Sequence, residues 1–471
     1  MMSRVFPLSV TLVLAAALPG VSLAQSGFEL SGPFPVPPNS FFTHTAEVNG
    51  DGHLDLITGH GNDQLSLLLG DGSGGFGLWQ PIPTTINAFS MASGDINGDG
   101  FTDLLVTNVV STEVNLLLND GSGAFPTALS IPVGELTAHA TIADLDGDGN
   151  LDIAVTKPGN GVDPGHVAVL LGDGSGGFAP PQDHEVGANP TRVATGDFNG
   201  DGTLDLTVAN TGIGLASNGS LSLLVGTGGG GFGAAIDFGS GHTGHMATGD
   251  FDEDGNLDVS AIFGSGGFGC GMEQSVFLGD GGGGFTVSQV LSFGCGPFST
   301  VSGDFDGDGH VDLILTDGGD FVAAINMGFL ARGDGSGTFL APEFIIPDGL
   351  YALEDPVTGD FDEDGLPDLA FSSPYLEVVS VYLNRLEGHF IRGDANRDQL
   401  VDVSDPVTIL IYLFASGSLE CEDAADVNDS GSIDIGDAIS LLTHLFVGGG
   451  PPPPAPFPDP GPDPTPDNLG C

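Results

Sequence analysis

The sequence predicts an all-β fold, a seven-bladed β-propeller, followed by a small α-helical domain. Three observations carry that expectation. A nine-residue acidic segment recurs seven times, at intervals of 48, 49, 53, 53, 54 and 56 residues. A glycine-rich marker ending in phenylalanine runs in step with it. The residues between them form short apolar and β-branched runs with no helical periodicity. A fixed period of this length marks a repeat architecture, because no single unit can bury its own apolar face.

The first 24 residues are expected to be a secretory signal. Arg4 precedes an apolar core, and Ser22-Leu23-Ala24 puts small residues at the positions that specify cleavage. The propeller is then expected over 25–391, a helical module over 392–448 and a proline-rich tail over 449–471.

Within the propeller the acidic copies are EVNGDGHLD, DINGDGFTD, DLDGDGNLD, DFNGDGTLD, DFDEDGNLD, DFDGDGHVD and DFDEDGLPD. The markers run from LLLGDGSGGF, ending at Phe76, to a degenerate VYLNRLEGHF, ending at Phe390. Each unit holds four strand-like runs; in the second they are FSMASG, TDLLVTN, VNLLLN and PTALSIP. Four antiparallel strands per repeat, arrayed radially, protect their edges as a propeller does. The chain enters at Phe28 and leaves at Phe390 in the same phase of the repeat. The N-terminal strand FELSGPF is therefore expected to complete the last blade, giving a closed ring of seven rather than a capped solenoid.

The acidic segments alternate oxygen donors with small residues, the pattern that suits a hard cation of flexible coordination, calcium. The expected ligands are Glu47, Asn49, Asp51 and Asp55 in the first copy, and Asp95, Asn97, Asp99 and Asp103 in the second. They are Asp144, Asp146, Asp148 and Asp152 in the third, and Asp197, Asn199, Asp201 and Asp205 in the fourth. The fifth offers Asp250, Asp252, Asp254 and Asp258, and the sixth Asp304, Asp306, Asp308 and Asp312. Asp360, Asp362, Asp364 and Asp368 complete the set. In an EF-hand, position 12 is a bidentate carboxylate. Here it is Thr58, Val106, Val155, Val208, Ala261, Leu315 or Phe371, and a strand follows at once. These are calcium hairpins of another kind. The units resemble FG-GAP/VCBS repeats, of the type found in integrin α-subunit propellers, a resemblance that implies the same nine-residue calcium loops.

After Phe390 the grammar changes. DANRDQLVDVSD and DVNDSGSIDIGD keep the alternating donors but end in a carboxylate, and each runs into an apolar helical stretch. The expected ligands are Asp394, Asn396, Asp398, Asp402 and Asp405, then Asp426, Asn428, Ser430, Asp434 and Asp437. This twin loop-helix pattern resembles a type I dockerin, a paired F-hand module. That resemblance implies a cohesin-like partner.

Composition narrows the function. Lysine and arginine total 7 against 63 acidic residues, a formal net charge of -56. Such a surface cannot neutralise phosphates, which argues against nucleic acid and anionic lipid as partners. No segment after the signal has the ~20 apolar residues a membrane helix needs. There is no G-x-S-x-G elbow and no H-E-x-x-H, and seven near-identical carboxylate clusters lack the asymmetry of an acid–base pair. Arg332-Gly333-Asp334 and Arg392-Gly393-Asp394 are read as parts of turns and a metal loop rather than as adhesion motifs.

The expectation is a secreted calcium-binding scaffold without catalytic residues. It would bind an extracellular protein or glycan on the ring face opposite the calcium loops, where connections of uneven length gather. The alternative is a polysaccharide-degradation component, a glycan-binding or carbohydrate-active protein targeted by the dockerin-like module. Export makes disulfides the natural state of the four cysteines. Segregation by domain favours Cys270–Cys295 and Cys421–Cys471 among the three possible pairings.

Overall fold

A computed structural model describes residues 27–390 apart from 61–63, 85–86, 160–163, 213–218, 265–271, 293–296, 318–327, 347–353, 374–375 and 386–388. Beyond 390 it describes 392–393, 395, 401, 403–415, 419, 422–430, 432–447, 452–454 and 461–462. The expected signal segment, all four cysteines, and Asp394, Asn396, Asp398 and Asp402 lie outside these residues.

The repeats fold into seven four-stranded antiparallel sheets. In blade 1 the strands are Ser40–Ala46, Asp55–His60, Gln64–Leu68 and Gln80–Pro83, paired in that order. Blades 2 to 6 repeat this order. First strands of successive blades neighbour one another around the ring, so they line its axis. Second strands such as Asp55–His60 and Asp205–Asn210 are buried along their whole length. Outer strands such as Thr127–Pro132 face solvent. The burial gradient explains the sequence. Continuous apolar runs sit where both faces of a sheet are covered, and alternation is lost there.

The core is not one mass but a series of seams between blades. Ile57, Leu65 and Leu67 of blade 1 pack with Leu104, Val106 and Leu117 of blade 2. Leu56 and Leu68 pack with Val379, Val381 and Leu383 of blade 7. Each blade therefore buries both its faces against different neighbours, and the ring has no free end.

Closure is made by the N-terminus. Phe28–Pro35 pairs antiparallel with Val378–Asn384, Phe28 opposite Asn384 and Pro35 opposite Val378. It is the outer strand of blade 7, whose other strands are Glu354–Gly359, Asp368–Ser373 and Val378–Asn384. Phe28 also supplies that blade's ring contact, its centroid 6.4 Å from Phe305 of blade 6. Phe339 and Phe76 sit in the same way on Phe251 and Phe361, at 5.4 and 5.6 Å. The seventh working marker is thus Phe28. Phe390, which closes the series in the sequence, pairs instead with Gly461 in a separate two-stranded sheet.

The C-terminal segment forms α1 (Ser404–Ala415), the single turn α2 (Glu422–Ala425) and α3 (Ile435–Val447). Helices α1 and α3 pack over Ile409, Val427, Ala438 and Leu441. Among the described residues, no helix is long and apolar enough to cross a membrane.

Candidate metal centres

Each acidic segment is the hairpin between the first and second strands of a blade, wrapped around its own carboxylates. In blade 2 the Asp95 oxygens accept from the N–H groups of Asp99 and Gly100, at 3.0 and 2.9 Å. Asn97 Oδ1 accepts from Asp99 N at 2.9 Å, and Asp99 Oδ1 from Phe101 N at 3.0 Å. The curl requires left-handed backbone at the sixth position. Gly52, Gly100, Gly149, Gly202, Gly255, Gly309 and Gly365 all have φ between 84 and 92° there, a region closed to most L-residues. Glu47, which replaces the first aspartate in blade 1, accepts instead from the third and fourth residues of its loop, Asn49 N and Gly50 N.

The ninth residue plays a role the sequence does not announce. Asp55, Asp103, Asp152, Asp205, Asp258, Asp312 and Asp368 are all fully buried. One oxygen of Asp103 accepts from Ile96 N inside the loop at 3.2 Å, the other from Asn119 N at the end of the third strand at 2.8 Å. Asp312 repeats this with Phe305 N and Gly333 N, at 2.9 and 2.8 Å. The residue braces three strands before any ion is considered. Burial pushes its carboxyl up, to about 7 for Asp312 and about 8 for Asp368.

The remaining oxygens converge. In blades 3, 5, 6 and 7 three carboxylates each offer an atom within 4.8 Å of the others: Asp144, Asp146 and Asp152; Asp250, Asp252 and Asp254; Asp304, Asp306 and Asp308; Asp360, Asp362 and Asp368. These are the four blades with aspartate at the third position. Blades 1, 2 and 4 have Asn49, Asn97 and Asn199 there, and the first two donate their amides to Asp51 and Asp99, at 2.8 and 2.9 Å. In blade 6, Asp304 Oδ1 is buried with no hydrogen-bond partner among the described residues. Clustered hard oxygens with an unanswered acceptor are a donor set that fits a calcium-like cation.

Residues 48–106, 95–155, 159–208 and 304–371 match the FG-GAP-like repeat family, and residues 189–235 match the FG-GAP repeat. The matched blades are FG-GAP repeats. No curated protein matches the chain. Among solved structures, BBS1N in complex with ARL6DN is similar in fold, in mercury- and lead-soaked crystals. The mercury form has a TM-score of 0.53 at 12% identity, covering 76% of this chain and 98% of that one. The lead form gives 0.52 at 11%, with the same coverage. An Agrocybe aegerita lectin that recognises non-reducing terminal N-acetylglucosamine gives 0.47 at 20%, covering 67% of this chain and 82% of that one.

The FG-GAP loops are joined around the ring. The glycine-rich turn of each blade lies against the acidic loop of the blade before it: Asn119 Nδ2 donates to Val48 O at 2.8 Å, Gly337 N to Phe251 O and Gly74 N to Phe361 O, both at 2.9 Å. Loops and turns therefore share one face. Two further links were not expected. Glu253 of blade 5 bonds His310 of blade 6, and Glu363 of blade 7 bonds His53 of blade 1. The signal was present in the sequence as two DGH segments, each following a DEDG segment by one repeat around the closed ring.

In the C-terminal module the second loop closes on its own twelfth residue. Buried Asp437 accepts from Asn428 N at 3.2 Å and Asp434 N at 2.7 Å, and burial pushes its carboxyl up to about 6. Asp426 Oδ1 accepts from Ser430 N at 3.0 Å. Arg392 is fully buried, donating to Asp426 O at 2.8 Å and pairing with Asp429 at 3.2 Å. Asp405, also fully buried, heads α1 as Asp437 heads the first turn of α3.

Proposed function

We propose that this protein is a secreted, calcium-stabilised, non-catalytic scaffold that binds an extracellular protein or glycan on the face opposite the acidic loops. The observation that carries the reading is the sevenfold acidic hairpin, with its carboxylate oxygens gathered on one side of a rigid ring. Ions there tie the first two strands of a blade and leave the other face free for recognition. That face exposes apolar side chains the sequence did not flag. Phe41 and Phe89, at the far ends of the first strands of blades 1 and 2, and Val110, after the second strand of blade 2, are 46, 44 and 75% exposed. Exposed aromatic and aliphatic side chains on a rigid rim suit a protein or sugar partner. A Phe41→Ser, Phe89→Ser variant that keeps full affinity in a secretome pull-down would contradict this placement.

The C-terminal module is proposed to be dockerin-like and to attach the scaffold to a cohesin-like partner. Its support is a duplicated apolar face. Val403, Val407 and Phe414 on and before α1 are exposed, and so are Ile435, Ile439 and Phe446, each 32 residues later. The test is binding of the isolated cohesin class to the full chain, with and without a chelator. No binding in calcium removes the attachment role and leaves the propeller reading intact.

A further inference from the structure

We infer that blade 7 carries its own cation: the Arg385 guanidinium takes the place of calcium in the last acidic loop. This rests on the calcium reading above and asks which loops need the ion. The position of Arg385 in the repeat is held by Asp71, Asp120, Asp173, Asp280 and Asp334 in five other blades and by Thr227 in the sixth. There the aspartate folds its own turn, as Asp71 does by accepting from Ser73 N and Gly75 N at 2.9 and 3.0 Å. In blade 7 the exchange to arginine reverses the charge and turns the side chain inward.

The inward contacts are with the expected ligands themselves. Arg385 Nη1 pairs with Asp362 Oδ2 and lies 3.3 Å from Asp364 Oδ2. Asp362 is fully buried and Asp364 nearly so. These are the third- and fifth-position oxygens that a metal would need, so a guanidinium seated on both excludes an ion from the same oxygens. Fixed geometry and permanent charge make arginine suited to that substitution. Blade 6 marks the contrast. Arg332 Nε reaches Asp306 Oδ2 at 2.8 Å, but its Nη1 turns away to Glu343 at 2.9 Å. Asp304 and Asp308 are left to an ion.

The placement has a purpose that the topology makes plain. Among the described residues, blade 7 alone is assembled from both ends of the propeller chain. The backbone N–H of Arg385 donates to Gly27 O, and its side chain lies 3.9 Å from Glu29. One residue therefore joins the entering strand to the last acidic loop. A tethered cation at this seam keeps the ring shut when calcium is scarce, whereas an exchangeable ion would not.

The test counts calcium per chain by elemental analysis of the full-length protein after desalting. Three variants are compared with the wild type: Arg385→Gln, Asp360→Ala in blade 7, and Asp250→Ala at the same position in blade 5. The proposal expects Arg385→Gln to gain one ion, Asp360→Ala to keep the wild-type count and Asp250→Ala to lose one. An unchanged count in Arg385→Gln, with one ion lost in Asp360→Ala, places calcium beside the arginine and overturns it. If Arg385→Gln does not fold, the Asp360 and Asp250 pair decides alone. A wild-type count of zero overturns the calcium reading itself, and this proposal with it.

Discussion

Glu363 Oε1 of the seventh blade lies 2.5 Å from His53 Nδ1 of the first, bridging the seam where the ring closes. Glu363 has φ 60°, and its counterpart Glu253 has φ 58°. The same position is glycine in the other five loops: Gly50, Gly98, Gly147, Gly200 and Gly307, all at positive φ. A glutamate there accepts left-handed strain of about 1 kcal/mol that glycine does not. What it gains is the link to the next blade.

This sets an order for substitutions at Glu363. Both Glu363→Gly and Glu363→Ala lose the His53 contact, but only alanine keeps the strain. Glu363→Ala is expected to be less stable than Glu363→Gly by about 1 kcal/mol, read from urea midpoints at constant calcium. Equal midpoints would show that the left-handed backbone at this position is not strained.

The ninth-position aspartates should matter even without ions. Asp103→Ala leaves the buried N–H groups of Ile96 and Asn119 without their acceptor, a loss of about 3 kcal/mol. Asp99 is exposed and bonds only its own loop, so Asp99→Ala costs much less in excess chelator. Calorimetry of the two variants in chelator distinguishes brace from ligand; similar losses would contradict the assignment.

His60 is fully buried at the end of the second strand of blade 1, with Nε2 at 2.8 Å from Ser66 Oγ and 3.1 Å from Thr58 Oγ1. Burial lowers its pKa from 6.5 to about 4. The unfolded chain binds this proton more readily, so the contribution is complete above pH 6.5 and is lost as pH falls towards 4. The loss is on the order of 3 kcal/mol. Subtracting the pH profile of His60→Gln from that of the wild type should isolate it. A flat difference between pH 4 and 6.5 would refute it.

The blades and the acidic hairpins were legible because each rests on local spacing: a near-constant period, alternating oxygens and glycines where the backbone turns. The closing strand was legible from phase alone, since Phe28 enters where a marker ends. What remained hidden depends on which loop faces which across a seam. The brace made by Asp103 needs the third strand in place. The Glu363–His53 bridge joins residues 310 positions apart. Arg385 looks like decay of a marker until the fold sets it against Asp362 and Asp364.

If the acidic hairpins hold calcium, the stability of the ring depends on it. The most direct measurement is the thermal unfolding of the full-length protein in millimolar calcium and again after chelation. Several sites saturated a hundredfold above their dissociation constants each contribute about 2.7 kcal/mol. The predicted result is a fall in Tm of more than about 10 °C on chelation, restored when calcium is returned. A Tm that stays the same with and without calcium would contradict it.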